Sequence, residues 1–242
     1  MMSENSPLET SRILLTGLST KLSSYYENRV PRDTSILVVS NHRSFMDAPV
    51  LMAAISQPIR FACHHYMGQV PVMREIVTEQ FGCFPLAANR QRNTSFFQKS
   101  QAFLQSRQVV GVFPEGPEPM VKFTDPSKLG EFQRGFAHLA MRSRVQNLAV
   151  LPIAIASLEE VNTSSMPLKI LSLFDPSEPL FNQMGWHPLV IYRRVAVLVG
   201  RPYLIKQQHW EQYQGKHAKA TVMELTNYCY REIRELLQEG CY

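Results

Sequence analysis

The chain has four cysteines in 242 residues, Cys63, Cys83, Cys229 and Cys241, and no C-x-x-C pair among them. That is too few for a disulfide-stapled fold and lacks zinc-ligand spacing, and it suits reduced thiols in a cytoplasmic protein. Long apolar runs are also missing, since nothing approaches the ~20 residues that a membrane span requires. Met1 to Thr10 is polar and acidic, without the basic and apolar regions of a signal peptide. The N-x-S/T triplets at Asn93 and Asn162 therefore carry no glycosylation message. Eleven glycines and sixteen prolines fall into no period, which excludes a collagen-like or low-complexity chain. The absence of G-x-G-x-x-G, of G-x-x-x-x-G-K-[ST] and of G-x-S-x-G argues against nucleotide-cradling loops and the serine-hydrolase elbow. Acidic residues are slightly short, 20 against 25 Lys and Arg, so the formal charge is +5. That excess favours anionic partners such as phosphate groups or acidic lipid. Its scatter, with no finger or RNA-binding motif, leaves no nucleic-acid partner expected.

What is present is apolar enough, at 45% hydrophobic residues and 19% charged, to build a sizeable core rather than a disordered chain. Residues 1–30 stand apart. Leu14, Leu18, Leu22 and Tyr25 recur at helical spacing within Leu8 to Tyr26. This predicts an N-terminal amphipathic helix, either packed on the domain or lying against lipid. Pro31 closes it, and residues 31–242 form one domain. There, short β-branched runs alternate with amphipathic stretches. Strands are predicted at Ile36 to Ser40, Arg60 to Cys63, Phe84 to Ala87, Val109 to Phe113, Leu148 to Ser157 and Val190 to Val199. Helical faces are predicted from Pro71 through Met73, Ile76 and Val77, at Phe96 to Leu104, at Phe132 to Ala140, and at Val222 to Leu236. Leu148 to Ser157 is almost wholly apolar, as a strand buried on both faces should be. The fold class is α/β, a layered domain with a central, largely parallel or mixed sheet flanked by helices.

Asn41-His42-Arg43-Ser44-Phe45-Met46-Asp47 follows directly on the Ile36 to Ser40 strand, at the sheet end where catalytic groups collect. Two residues five apart on a helix face different ways. Pro49, however, belongs in a first helical turn, so the helix starts near Met46 or Asp47 and leaves His42 in a loop free to fold back onto Asp47. A carboxylate that accepts from one imidazole nitrogen fixes the tautomer and makes the other nitrogen a general base for an alcohol. A plain surface hydrogen bond is the alternative for such a pair. The second motif is the strand Val109 to Phe113 running into Pro114-Glu115-Gly116, which presents one carboxylate at a strand end beside a permissive glycine. Alone it is an ordinary tight turn.

In this order, N-H-x-x-x-x-D and F-P-E-G resemble the glycerolipid acyltransferase family typified by 1-acylglycerol-3-phosphate acyltransferases. Phe61 to Arg90, Phe132 to Ala140 and Leu151 to Ile155 resemble its further blocks, so the likeness covers roughly Ser35 to Tyr203. It implies transfer of a fatty acyl group from acyl-CoA or acyl-carrier protein to a lipid hydroxyl at a membrane surface, by a peripheral protein on the cytoplasmic face. His42 would be the base and Asp47 its orienter. Phe113, Pro114, Glu115, Gly116 and Arg90 would line the acceptor site, with no metal and no cofactor beyond the acyl donor. Backbone N–H groups near Gly116 or around His42 are the expected oxyanion donors. Cys63 and Cys83 fall in matching segments but read as inert buried thiols, so no acyl-enzyme is expected. His64 and His65 have no evident metal partners, and His138 reads as a core histidine.

Two departures qualify the acceptor. The family's F-P-E-G is followed by Thr-Arg, whereas Pro117 and Glu118 stand here, exchanging a cation for an anion. Arg90 comes two places later than the family's arginine. Acyl transfer to a non-phosphorylated lipid alcohol, hydrolysis of the thioester, and a catalytically silent acyl-lipid-binding protein therefore stand as alternatives to acylation of a phosphate-bearing acceptor.

Overall fold

The computed structural model describes residues 6–63, 74–87, 91–116, 124–167 and 186–240. Its strands are β1 (Lys21–Tyr25), β2 (Ser35–Ser40), β3 (Ile59–Cys63), β4 (Phe84–Pro85), β5 (Val109–Val112), β6 (Leu148–Pro167), β7 (Trp186–Val199) and β8 (Tyr203–Ile205). The helices are α1 (Pro7–Gly17), α2 (Asp47–Ile55), α3 (Arg92–Gln105), α4 (Gly135–Arg142), α5 (Gln207–Gln212) and α6 (Ala218–Gly240). The strands form one eight-stranded sheet in the order β1-β7-β6-β2-β5-β3-β4, with β8 also on β6. β2 lies parallel to both β5 and β6, while β7 and β8 run antiparallel to β6. The mixed α/β layering is as the alternation predicts.

β2 is the centre of this arrangement because all six of its residues are buried. Leu37 and Val39 face one core with α3, α4 and α6, and Ile36 and Val38 face the other with α1 and α2. A strand apolar on both sides is stable only between two helical layers, and each fully buried Leu, Ile or Val contributes about 1.5–3 kcal/mol.

The single N-terminal helix expected over Leu8 to Tyr26 is not what forms. Ser6 and Glu9 make a reciprocal capping box with Pro7 in the first turn, so α1 starts cleanly. It stops after Gly17, where Ser19 turns left-handed (φ 55°) and the Thr20 N–H returns to the Leu15 carbonyl. Lys21–Tyr25 then pairs in parallel with β7 as an edge strand. Leu22 satisfies a helical spacing from Leu18 and also the alternation of a strand, and sheet pairing decides between them. Leu15 is buried against the α2 side of the core, while Tyr25 is exposed.

Two strands are longer than predicted. β6 runs past Ser157 to Pro167, and β7 starts at Trp186. Breaks in their register between Ser157 and Glu160 fall opposite Arg193 and Arg194, both exposed. Helix α4 begins at Gly135, so Phe132 packs from the approach to it rather than from the helix itself. Of the helix expected from Pro71, the described part is the π-helical run Arg74–Gln80; Pro71 and Met73 lie outside the described residues. Among the described residues, no helix is long and apolar enough to cross a membrane.

Candidate active site

Because β2 and β5 are parallel neighbours, with Val39 level with Val112, the loops after them emerge side by side. Asn41 ends β2 by bridging to β6. Its amide donates to the Ile155 carbonyl (2.9 Å) and accepts the Ile155 N–H (2.8 Å). The chain then turns through His42 to Met46 and enters α2 at Asp47, which puts Pro49 inside the first turn as its fixed φ requires.

This turn brings His42 and Asp47 together. His42 Nδ1 lies 2.8 Å from Asp47 Oδ2. Oδ2 also accepts the backbone N–H groups of Arg43 (2.6 Å) and Ser44 (2.8 Å). The other oxygen, Oδ1, accepts the hydroxyl of Tyr192 on β7 (2.7 Å). Asp47 is fully buried and the imidazole partly so. With the carboxylate as acceptor, Nδ1 carries the hydrogen and Nε2 holds the lone pair. Among the described residues Nε2 has no hydrogen-bond partner. The ring is held from one face by Phe113, stacked at 4.0 Å and 9°, which in turn stacks on Phe61 at 4.8 Å.

Glu115 ties two segments together. One carboxylate oxygen accepts the His42 N–H (3.0 Å) and the other accepts the Gly130 N–H. Burial raises its carboxyl above the usual carboxylate range, against the lowering effect of those two N–H groups. It thereby links the F-P-E-G turn to the loop after β2 and to the segment at 124–133. Pro114 is buried and its carbonyl accepts the Gln133 N–H at 2.8 Å. Gly116 sits at φ 73° and its N–H closes the turn onto the Phe113 carbonyl (3.1 Å). The backbone donors expected for an oxyanion are thus engaged within the protein. Gly116 bonds Phe113, His42 bonds Glu115, and Arg43 and Ser44 bond Asp47.

A cavity of about 740 Å³ opens beside these groups, walled by Asn41, His42, Arg43 and Glu115 on one side and by residues 124–133 (Thr124 to Gln133, Ser127 excepted) on the other. Of the predicted acceptor-lining residues, Glu115 borders it, and Phe113 reaches the site through the imidazole. Pro114 and Gly116 shape the turn behind it. Arg90, Pro117, Glu118, His64 and His65 lie outside the described residues.

Sequence reasoning missed the residues that hold the loop from outside. Arg43 is buried and forms an ion pair with Glu160 of β6, while its guanidinium also reaches Thr124. Burial works against the Glu160 charge, but bonds from Arg43, Ser157 and Asn162 hold its carboxyl below the usual range. Ser44 donates to the Val190 carbonyl (2.6 Å) and accepts the Met46 N–H (3.1 Å). Arg43 and Ser44 are visible inside the motif, whereas Tyr192 and Glu160 lie far away in the chain and carry no local signal. The thiols are poor nucleophiles. Burial pushes Cys63 up to about 11 and Cys83 up to about 12. His138 bonds the Tyr213 hydroxyl at 2.8 Å, as a satisfied structural histidine would.

Comparison with known proteins gives the family and the fold. Uncharacterised proteins of Mycobacterium tuberculosis and Mycobacterium bovis are 25% identical over 233 residues, covering 88% of this chain and 58% of the relative. The chain thus spans a little over half the length of these relatives. The crystal structure of the 1-acyl-sn-glycerophosphate (LPA) acyltransferase PlsC from Thermotoga maritima superposes with a TM-score of 0.61 at 16% identity, over 96% of this chain and 77% of that one, a likeness of fold. The Acyltransferase family profile matches residues 21–156, from the edge strand through both loops to the middle of β6, and the chain belongs to that family.

Proposed function

We propose that this chain is an O-acyltransferase that moves a fatty acyl group from acyl-CoA or acyl-carrier protein to a lipid hydroxyl, most like 1-acylglycerol-3-phosphate acylation in phospholipid synthesis. The observation that carries this reading is the His42–Asp47 pair at the edge of an open cavity, with Nε2 left for a substrate proton. Nε2 takes the proton of the acceptor hydroxyl as its oxygen attacks the thioester carbonyl. The tetrahedral intermediate collapses, the C–S bond breaks, and the thiolate leaves with the proton from His42. Asp47 stabilises the imidazolium formed in between. The protein would work as a peripheral protein on the cytoplasmic face of a membrane, where its lipid substrate resides.

The charges around the cavity favour a second reading of the acceptor. Glu115, Asp125 and Glu131 border it, the Arg43 guanidinium is paired with Glu160, and Lys128 lies 3.3 Å from Asp125. With Glu118 nearby in sequence, this wall suits the neutral polar head of a non-phosphorylated lipid alcohol better than a phosphate monoester.

The test is a thiol-release assay with both acyl donors against phosphorylated and neutral lipid alcohols. His42→Ala should lose transfer while keeping the fold, as followed by circular dichroism. A folded His42→Ala protein that still transfers labelled acyl groups would end the reading of His42 as the base, and no transfer by the unaltered protein with either donor would end the enzymatic reading.

A further inference from the structure

The Asp47 carboxylate is held unevenly. Oδ2 accepts from His42 Nδ1 and from the Arg43 and Ser44 N–H groups, all on its own loop, whereas Oδ1 has one donor among the described residues, the Tyr192 hydroxyl. Tyr192 comes from β7, 145 residues further along, and is itself almost fully buried. Burial first, and then the neighbouring Asp47, push its phenol well above the ordinary range, so it remains a proton donor. β7 grips the same loop at two further points, through the Val190 carbonyl on Ser44 Oγ and the Tyr192 N–H on the Met46 sulfur.

Resting on the acyl-transfer reading above, we infer that Tyr192 is a positioning residue for the His42–Asp47 pair, fixing the carboxylate plane so that Oδ2 stays on His42 Nδ1 and sharing the carboxylate's electron density with it. Without the phenol, buried Oδ1 loses the one donor it has among the described residues, and the carboxylate plane is held from the Oδ2 side alone. Its charge then concentrates on the side of the imidazole. The bond to Nδ1–H becomes stronger electronically and looser geometrically. Among the described residues, the other charged groups around the pair are few. Glu115 approaches from the loop after β5 through the His42 N–H, and Arg43 on the same loop is paired with Glu160 of β6.

The test uses Tyr192→Phe in the full chain, with two readouts. The first needs no turnover. The downfield proton resonance of His42 Nδ1–H, assigned by its loss in His42→Ala, should move further downfield in Tyr192→Phe. The second is kinetic. kcat should fall on the order of 10- to 100-fold with KM for the acyl thioester unchanged, and the acid limb of the kcat/KM profile should move up by roughly half a pH unit. A Glu115→Gln control separates that limb from titration of Glu115. If phenylalanine prevents folding, a fluorinated tyrosine at 192 keeps the ring and makes its hydroxyl a stronger donor, so the resonance and the limb should shift the opposite way. An unmoved resonance in either folded variant overturns the inference. Absence of any transfer by the unaltered protein would instead sink the acyl-transfer reading, and the resonance would still decide the role of Tyr192.

Discussion

Replacing Asp47 by asparagine removes one charge from the site while nearly conserving shape, and the structure fixes what the new amide must do. Three donors converge on Oδ2, so the amide oxygen has to take that place. The NH2 then takes the place of Oδ1 and faces the Tyr192 hydroxyl, which can turn and accept. His42 therefore keeps its Nδ1–H tautomer, and only the charge is lost. Charges roughly 4 Å apart at an effective dielectric of about 20 interact by about 4 kcal/mol. At ~1.4 kcal/mol per decade this lowers turnover about 10²- to 10³-fold. That is less than the ~10⁴-fold seen where the same exchange in a catalytic triad also imposes the wrong tautomer. The same substitution weakens charge-assisted bonds from two buried N–H groups, costing about 1–3 kcal/mol of stability. Asp47→Ala should cost more, because it leaves those donors buried and unpaired. The assay is single-turnover transfer of a labelled acyl group, with urea unfolding alongside. A folded Asp47→Asn protein with more than a tenth of the original rate would refute the argument that Asp47 stabilises the imidazolium.

Other outcomes follow from the same geometry. A methyl group added at Gly111 would lie 2.2 Å from the Phe61 ring, so Gly111→Ala should destabilise by about 1–3 kcal/mol. It should also lower kcat by displacing the Phe61–Phe113–His42 stack, and unchanged kinetics in the folded variant would show that the stack does not position the imidazole. Burial raises the Glu115 carboxyl above its ordinary value near 4.5, so the folded state binds that proton more tightly than the unfolded chain. Stability from this source is complete below the unfolded value and is lost as pH rises through the raised one. The unfolding free energy of the unaltered protein minus that of Glu115→Gln should accordingly fall as pH climbs through that window, and a flat difference in urea titrations would count against it. Cys63 and Cys83, pushed up to about 11 and about 12 by burial, should resist iodoacetamide at neutral pH until the chain unfolds, and Cys63→Ser should retain transfer. Rapid native labelling at either, mapped by mass spectrometry, would contradict thiols held that far above neutrality.

The residues settled by their near neighbours were legible in the sequence. Ile36 to Ser40 has too many consecutive apolar residues for a half-exposed strand, and it lies buried on both faces. Pro49 locates the start of α2, which frees His42 to meet Asp47. The F-P-E-G turn ends a strand where expected, because Pro114 has no N–H to give a neighbouring strand and Gly116 turns left-handed (φ 73°). These features depend on dihedral preferences and periodicity within a few residues. What only the tertiary structure decided depends on register between distant strands. Lys21–Tyr25 suits two periodicities, and pairing with β7 selected the strand. Glu115 was legible as an acid at a strand end bordering the site, but only the fold set the His42 and Gly130 N–H groups against it. Tyr192 and Glu160 reach the site because β7 and β6 pass over the loop at one level, a coincidence in space that no local pattern of residues encodes.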